Sequence, residues 1–286
     1  MALDTQYPLP IARTIADLRQ QVAAWRADGK KIALVPTMGA LHEGHLSLVD
    51  IAGKKADITI VSIFVNPTQF APDEDFSAYP RTEADDIDKL VGKAHLIFAP
   101  TASELYPPDF STTVTVEGVT RDLEGASRPT HFAGVATIVA KLLLAALPDY
   151  ALFGEKDYQQ LLTVKRMVRD LHIPVEIVAG PISREPDGLA RSSRNAYLTP
   201  EQRAIAAKLN LIVRDTAKAI ANGADIIAAL KKGQIDILKA GFDQIDYLEV
   251  RDAETLEPVS GDIANARILT VARLGQTRLL DNMPVA

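Results

Sequence analysis

Residues 36–45 read Pro36-Thr37-Met38-Gly39-Ala40-Leu41-His42-Glu43-Gly44-His45 and separate two apolar segments of different periodicity. The preceding residues 31–35 are continuously apolar after their first lysine, which is typical of a buried β-strand. In the following residues 46–51 the apolar side chains recur at helical spacing. We therefore predict a strand that ends where this turn begins and a helix that starts where the turn ends.

The composition of this turn suits phosphate binding. Backbone N–H groups at a helix N-terminus are unpaired and carry partial positive charge. His42 and His45 add further donors, and Gly39 and Gly44 let a ligand approach the main chain closely. A zinc site is an alternative, but the metalloprotease motif needs histidines four residues apart inside a helix. A pair of capping or solvent-facing histidines is the other alternative, and we favour a triphosphate cradle.

Composition excludes several classes of function. The chain has 286 residues and a net charge of −6. It contains no cysteine, so disulfides, thiolate ligands and a cysteine nucleophile are excluded. The acidic balance argues against non-specific nucleic-acid binding. Residues 1–18 lack the features of a secretory signal, and the apolar run at 132–147 is too short for a membrane span. We expect a cytoplasmic enzyme that acts on small molecules, with no nucleic-acid or membrane partner.

Apolar runs and helical patterns alternate along the first two thirds of the chain. A helix capped by Thr14 comes first. Strands are then predicted at residues 32–35, 58–65, 96–98, 151–153 and 175–178. Helices are predicted at residues 46–55, 83–92, 134–146 and 158–171. This alternation predicts an α/β fold with a doubly wound, Rossmann-like parallel sheet.

The pattern changes after about residue 181. Helices are predicted at residues 200–221 and 225–240, and strands at 245–250 and 266–271. We predict a Rossmann-like ligand-binding domain at residues 1–182 and a smaller C-terminal α+β domain at residues 183–286. We expect the second domain to act as a lid that closes over the ligand crevice.

Polar loops follow four of the predicted strands, at residues 38–45, 66–70, 154–160 and 183–195. The carboxyl ends of parallel strands share one edge of the sheet, where α/β proteins bind ligands. Lys156 can pair with phosphate there as a point charge, although a surface lysine is the plain alternative. The loop Arg191-Ser192-Ser193-Arg194-Asn195 offers two hydroxyls and two guanidinium groups that suit a triphosphate.

Several other polar side chains allow more than one interpretation. The amides of Asn66, Gln69 and Gln160 suit hydroxyl or carboxylate groups, but such residues also serve turns and caps. His131 is equally compatible with substrate binding and with capping of the following helix. The pair Asp85–Asp86 can help to hold Mg²⁺, but acids in a first helical turn ordinarily stabilise the helix dipole.

The predicted groups favour one reaction type. Residues 39–45 do not match the P-loop pattern, and no nucleophile elbow is present, so γ-phosphoryl transfer and serine hydrolysis are disfavoured. Cationic donors around a triphosphate suit attack at the α-phosphorus with pyrophosphate leaving. An ionised carboxylate needs no general base for that attack, only charge neutralisation and alignment by donors and Mg²⁺.

The chain resembles the pantothenate synthetase family of ATP-dependent pantoate–β-alanine ligases, within the nucleotidylyltransferase superfamily. The resemblance runs through most of the chain, in the segments Pro36–His45, Phe64–Phe70, Tyr79–Thr82, Arg128–Gly134, Gly154–Gln160, Asp187–Asn195 and Asp246–Glu249. It implies that ATP and pantoate form pantoyl adenylate and pyrophosphate. β-Alanine then attacks the adenylate and releases AMP and pantothenate, and the family is usually a cytoplasmic homodimer.

The resemblance also implies roles for individual residues. The catalytic residues would be His42, His45, Lys156 and Arg194. The ATP site would comprise Met38, Gly39, Ala40, Leu41, His42, Glu43, Gly44, His45, Gly154, Glu155, Lys156, Asp157, Ser183, Arg191, Ser192, Ser193 and Arg194. Gln69 and Gln160 would grip pantoate, with Asn66, Arg128 and His131 nearby. One departure is Arg191, where many members carry Met; it adds a phosphate contact or points to solvent.

Two rival functions remain open at the level of sequence. A nucleotidylyltransferase would share the histidine turn but leave the adenylyl group on its product. A nucleotide-sensing or RNA-associated binding module is the second rival. The acidic composition and the presence of His45, Lys156 and Arg194 argue against that module.

Overall fold

The computed structural model describes residues 3–4, 6–72, 74, 76–259 and 261–285. The chain divides into two compact units. The first comprises Met1–Glu155 and Gln160–Pro181, and the second comprises Lys156–Gln159 and Ile182–Ala286. Each unit encloses its own cluster of buried apolar side chains, one around Val35, Val61 and Leu152 and the other around Val213, Ile237 and Ile268.

The first unit is built on a parallel sheet whose six strands follow the order β1-β4-β3-β2-β5-β6. The strands are β1 Ile11–Ala12, β2 Ile32–Thr37, β3 Ile58–Ile63, β4 Leu96–Phe98, β5 Tyr150–Gly154 and β6 Glu176–Gly180. The helices are α1 Ile15–Ala27, α2 Glu43–Lys55, α3 Glu83–Leu90, α4 Ala102–Leu105, α5 Glu124–Ser127, α6 His131–Ala146 and α7 Tyr158–Asp170. The predicted doubly wound α/β fold is confirmed.

Burial explains why these strands were recognisable from sequence. Residues 32–35 of β2 and 58–62 of β3 are buried, as in parallel strands whose two faces are both covered. Thr14 caps α1 as predicted, and its hydroxyl accepts from the Asp17 N–H. The two-residue strand β1 was missed because it is too short to carry a periodic pattern.

In the described part of the second unit, three α-helices pack with a three-stranded antiparallel sheet of order β7-β8-β9. Its elements are α8 Pro200–Ala206, α9 Lys208–Ala221, α10 Ile226–Ala240, β7 Gln244–Asp252, β8 Ala266–Leu274 and β9 Thr277–Pro284. The single helix predicted at 200–221 was wrong, because its hydrogen bonding breaks at Ala207. The backbone of Ala207 nevertheless keeps α-helical angles (φ −58°, ψ −25°), so the helical pattern runs through the break.

Strand β9 was not predicted because polar side chains lie at its buried positions. Asp281 and Asn282 are only 3% and 2% exposed. Arg184 donates to both carboxylate oxygens of Asp281, at 2.8 and 2.7 Å, and so compensates for the burial of that charge. Because a buried carboxylate with an arginine partner occupies an inward position of β9, the strand lacks the apolar alternation by which strands are recognised.

The strand order reverses around β2. This strand pairs with β3 on one side and with β5 on the other, although β5 comes more than a hundred residues later. Such a reversal is the topological switch point at which open α/β sheets bind ligands, outside the carboxyl ends of their strands. Residues 38–45 leave the carboxyl end of β2, so the fold of the first unit presents the histidine turn at the expected edge.

Candidate active site

Two histidines cap helix α2 through reciprocal hydrogen bonds. Nδ1 of His42 accepts from the Gly44 N–H at 3.1 Å, and Nδ1 of His45 accepts from the His42 N–H at 3.3 Å. A ring nitrogen that accepts such a bond carries no proton, so each neutral ring has its proton on Nε2. The capping interpretation and the phosphate interpretation are thus compatible, because the caps use Nδ1 and the Nε2–H of a neutral imidazole is a donor.

The turn before these histidines is held by a buried carboxylate on α3. Asp86 is 1% exposed, and its oxygens accept the backbone N–H groups of Ala40 at 2.9 Å and Leu41 at 2.7 Å. Lys89, one turn further along α3, donates to the Leu41 carbonyl at 2.9 Å. These bonds hold Ala40 at a φ of 50°, in the left-handed region that non-glycine residues rarely adopt.

Asp86 has a structural role, and the same contacts explain a glycine. Each carboxylate oxygen of Asp86 accepts a backbone N–H of the turn, so Asp86 acts as a structural clamp on the turn. Gly39 has a φ of 79°, and a Cβ there would lie 3.1 Å from an Asp86 oxygen. Glycine therefore lets this backbone pass close to the carboxylate that fixes it.

A cluster of amides lies beside Met38 in the same unit. Nε2 of Gln69 donates to Sδ of Met38 at 3.2 Å, and Nδ2 of Asn66 donates to Oε1 of Gln69 at 3.0 Å. Asn66 is 1% exposed, which places it behind Gln69 rather than in direct reach of a ligand. The side chain of Gln160 makes no hydrogen bond to another described residue, so its amide can serve a ligand.

His131 and Arg128 both bind the backbone of Gln69. Nδ1 of His131 lies 2.9 Å from the Gln69 carbonyl, to which it donates, and Arg128 Nη2 donates to the same oxygen at 3.3 Å. Arg128 also forms a bidentate pair with Glu74, at 2.5 and 2.6 Å. Burial, with a smaller effect from the Arg128 charge, lowers the pKa of His131 to about 4. His131 is therefore a neutral residue that supports the Pro67–Gln69 turn instead of capping its own helix.

In the second unit, Lys156 is held through its main chain. It lies in the 3-10 turn Glu155–Asp157, and its carbonyl accepts from Nδ2 of Asn282 at 2.9 Å. Its ammonium is 3.5 Å from an Asp157 oxygen. Oδ1 of Asn282 accepts in turn from Arg267 at 2.6 Å. Nothing in the sequence pattern indicates Asn282, because its partner lies 126 residues away.

The serine–arginine loop is also ordered by local contacts. Oγ of Ser192 accepts from the Arg194 N–H at 3.3 Å, and so caps the 3-10 helix Ser193–Tyr197. The Arg191 N–H donates to the Ser183 carbonyl at 2.9 Å. The Arg191 guanidinium pairs with Glu185 at 3.0 Å, so this departure from the family pattern is anchored within its own unit.

The structure thus brings the predicted residues into local groups. Met38, Asn66, Gln69, Arg128 and His131 form one connected group in the first unit, and residues 39–45 follow directly from Met38. Ser183 and residues 191–194 form another group in the second unit. Within the described ranges, no group of three or more His, Asp or Glu side chains is arranged to hold a metal ion. No described helix has the length and apolarity required to cross a bilayer.

Comparisons with known proteins agree on one family. The family model for pantoate–β-alanine ligase matches residues 10–284. A pantothenate synthetase of Caulobacter vibrioides is 55% identical over 280 residues, which cover 96% of this chain and 98% of the relative. One from Paramagnetospirillum magneticum is 56% identical over 276 residues, covering 96% of this chain and 97% of the relative.

Solved structures show the same relationship. A crystal structure of pantothenate synthetase from Thermus thermophilus matches with a TM-score of 0.91 and 44% identity, covering 96% of this chain and 99% of its own. A pantoate–β-alanine ligase from Francisella tularensis, complexed with beta-gamma ATP and β-alanine, matches with a TM-score of 0.80 and 34% identity. That match covers 96% of this chain and 97% of the other.

Proposed function

Because the chain belongs to the pantoate–β-alanine ligase family and uses ATP to join pantoate to β-alanine, we propose that the reaction proceeds through pantoyl adenylate. The observation that carries this proposal is the histidine capping box of α2. It gives a helix N-terminus and two Nε2–H donors, which suit the negative charge that develops on a triphosphate. Membership of the ligase family argues against both rival functions, the transferase that leaves the adenylyl group on its product and the sensing module.

In the first step, a carboxylate oxygen of pantoate attacks the α-phosphorus of ATP. A bond forms between that oxygen and phosphorus, the bond from the α-phosphorus to the bridging oxygen breaks, and pyrophosphate leaves with the electron pair. Pantoate is ionised at neutral pH, so no base is needed. His42 and His45 would donate to phosphate oxygens and stabilise the charge on the leaving group, while Asp86 keeps their turn in place.

In the second step, the uncharged amine of β-alanine attacks the acyl carbon of the adenylate. The C–N bond forms, AMP leaves with the electron pair of the mixed anhydride, and the nitrogen loses a proton. Lys156 and Arg194 would bind phosphate oxygens during these steps, as a point charge and a planar donor respectively. The backbone of residues 38–41, 154–155 and 183 would contact the nucleotide, as would the hydroxyls of Ser192 and Ser193.

Pantoate binding is assigned to the amide groups. Gln69 and Gln160 would hydrogen-bond the oxygens of the hydroxy acid, because neutral amides bind such groups without neutralising the carboxylate that must attack. Asn66, Arg128 and His131 would act behind Gln69, as their bonds to its side chain or carbonyl suggest.

Three further assignments are proposals from family resemblance. Mg²⁺ would arrive with ATP and neutralise phosphate charge, since this ion commonly binds through substrate phosphates and keeps several waters. The protein would be a homodimer located in the cytoplasm. Sedimentation equilibrium of the purified protein tests the dimer, and a single species of monomer mass would refute it.

Oxygen-18 transfer tests the adenylate pathway directly. Pantoate labelled in its carboxylate is incubated with ATP, Mg²⁺ and β-alanine, and the products are analysed by mass spectrometry. Attack at the α-phosphorus places one labelled oxygen in AMP, whereas attack at the γ-phosphorus would place it in inorganic phosphate. Label in phosphate, with ADP as the nucleotide product, would overturn the proposal.

Lys156→Ala should lower kcat by about 100-fold with a smaller change in the KM for ATP. The reason is that an ammonium acting on developing charge stabilises the transition state more than bound ATP. Lys165→Ala, which removes an exposed lysine from α7, is the matched control and should leave both constants unchanged. A large rise in KM at unchanged kcat would instead make Lys156 a ground-state anchor for ATP.

A further inference from the structure

The amide of Asn66 is oriented by a backbone carbonyl of helix α6. Nδ2 of Asn66 donates to the Gly134 carbonyl at 3.2 Å, and a carbonyl oxygen can only accept. Glycine permits this approach, since a Cβ at position 134 would lie 2.3 Å from the Thr68 carbonyl oxygen. Helix α6 therefore packs closely against the backbone of the Pro67–Gln69 turn. Because the Gly134 carbonyl only accepts, the Asn66 amide can take only one orientation.

Tyr106 completes that orientation from the other side. Its phenol donates to Oδ1 of Asn66 at 2.8 Å, and the Thr68 hydroxyl donates to the same oxygen at 3.0 Å. Burial raises the pKa of Tyr106, which keeps the phenol protonated and able to donate. Asn66 is thus bound by donors at its oxygen and by acceptors at its nitrogen, without a position left for substrate.

The fixed orientation of the Asn66 amide also fixes the orientation of the Gln69 amide. Since Nδ2 of Asn66 donates to Oε1 of Gln69 at 3.0 Å, that oxygen faces Asn66 and the Gln69 nitrogen faces away, toward Met38. Sulfur is a weak acceptor, so a bound oxygen can compete for the Gln69 N–H groups. Gln69 therefore offers donors to a ligand, and the group that binds it must be an acceptor.

We propose that Tyr106 is a positioning residue that acts through Asn66 to turn the N–H donors of Gln69 toward the acid substrate, so that this position selects a hydroxyl or carboxylate oxygen. The inference rests on the assignment of Gln69 to pantoate. Without the phenol, Oδ1 of Asn66 retains only the Thr68 hydroxyl, and both amides gain freedom to rotate.

Steady-state kinetics of Tyr106→Phe test the proposal. The variant keeps the edge contact with the Phe110 ring, whose centroid is 5.0 Å away, and removes only the hydroxyl. The KM for pantoate should rise about 5- to 30-fold, while the KM for ATP stays unchanged. This rise corresponds to a loss of about 1–2 kcal/mol of hydrogen-bond free energy. Tyr150→Phe, on β5, is the matched control and should change neither KM.

The side-chain amide resonances of Gln69 provide a readout that a general loss of stability would not move. They are assigned in ¹⁵N-labelled protein by their disappearance in Gln69→Met, and they should shift in folded Tyr106→Phe but not in Tyr150→Phe. If Gln69→Met raises the KM for pantoate but Tyr106→Phe changes neither that KM nor the resonances, the positioning role is refuted. If Gln69→Met leaves the KM for pantoate unchanged, the assignment of Gln69 to pantoate fails, and the proposal fails with it.

Discussion

His45→Ala is expected to lower kcat for pantothenate formation by about 100- to 1000-fold while leaving the protein folded. The substitution removes an Nε2–H donor from the N-terminus of α2, where the charge of the leaving pyrophosphate would develop. It also removes the acceptor for the His42 N–H, which should cost only about 1 kcal/mol of stability as the loss of one helix cap. Quenched-flow measurement of pyrophosphate formation isolates the adenylation step.

His95→Ala is the matched control for this prediction. His95 also accepts a backbone N–H through Nδ1, from Thr59 at 3.0 Å, but it lies just before the start of β4 rather than at a carboxyl end. Its loss should change stability by a similar amount and leave kcat unaltered. His45→Asn should recover part of the rate, because its amide retains an acceptor for the cap and an N–H donor. Near-normal adenylation in His45→Ala would remove the histidine turn from the mechanism.

Asp86→Ala is expected to reduce both stability and ATP binding. The substitution leaves the half-buried N–H of Ala40 and the buried N–H of Leu41 without their acceptor, and two unsatisfied donors should cost about 2–4 kcal/mol. Since Ala40 then has no bond to hold it in the left-handed region, the turn should relax and the KM for ATP should rise by at least about tenfold. Urea unfolding measures the first effect and initial rates the second.

Asp85→Ala separates this clamp from a general effect of acidic residues on α3. Asp85 is exposed in the first turn of the same helix, so its removal affects the helix dipole without touching the histidine turn. We expect little change in stability or in the KM for ATP. Equal losses in Asp85→Ala and Asp86→Ala, restored by raised Mg²⁺ concentration, would instead indicate that the pair holds a metal ion.

Local sequence was sufficient for the elements that surround the histidine turn. The apolar run of β2, the two histidines and the helical spacing after them all act over a few residues, so they can be recognised without knowledge of the fold. The same holds for the cap at Thr14 and for the serine–arginine loop. Alternation of such elements was enough to predict a doubly wound sheet, and several motifs in one order were enough to identify the family.

The tertiary structure alone assigned partners to these residues. Asp86 binds the turn across 45 residues of sequence, Tyr106 reaches Asn66 across 40, and Asn282 reaches Lys156 across 126. The sequence allowed Asp86 as a metal ligand and left Arg191 between phosphate and solvent, whereas the fold gives each a protein partner. Periodicity reflects interactions between near neighbours in the chain, so it determines strands, helices and the residues available at their ends. Which buried polar group meets which depends on the packing of distant elements, and that is decided only when the chain is folded.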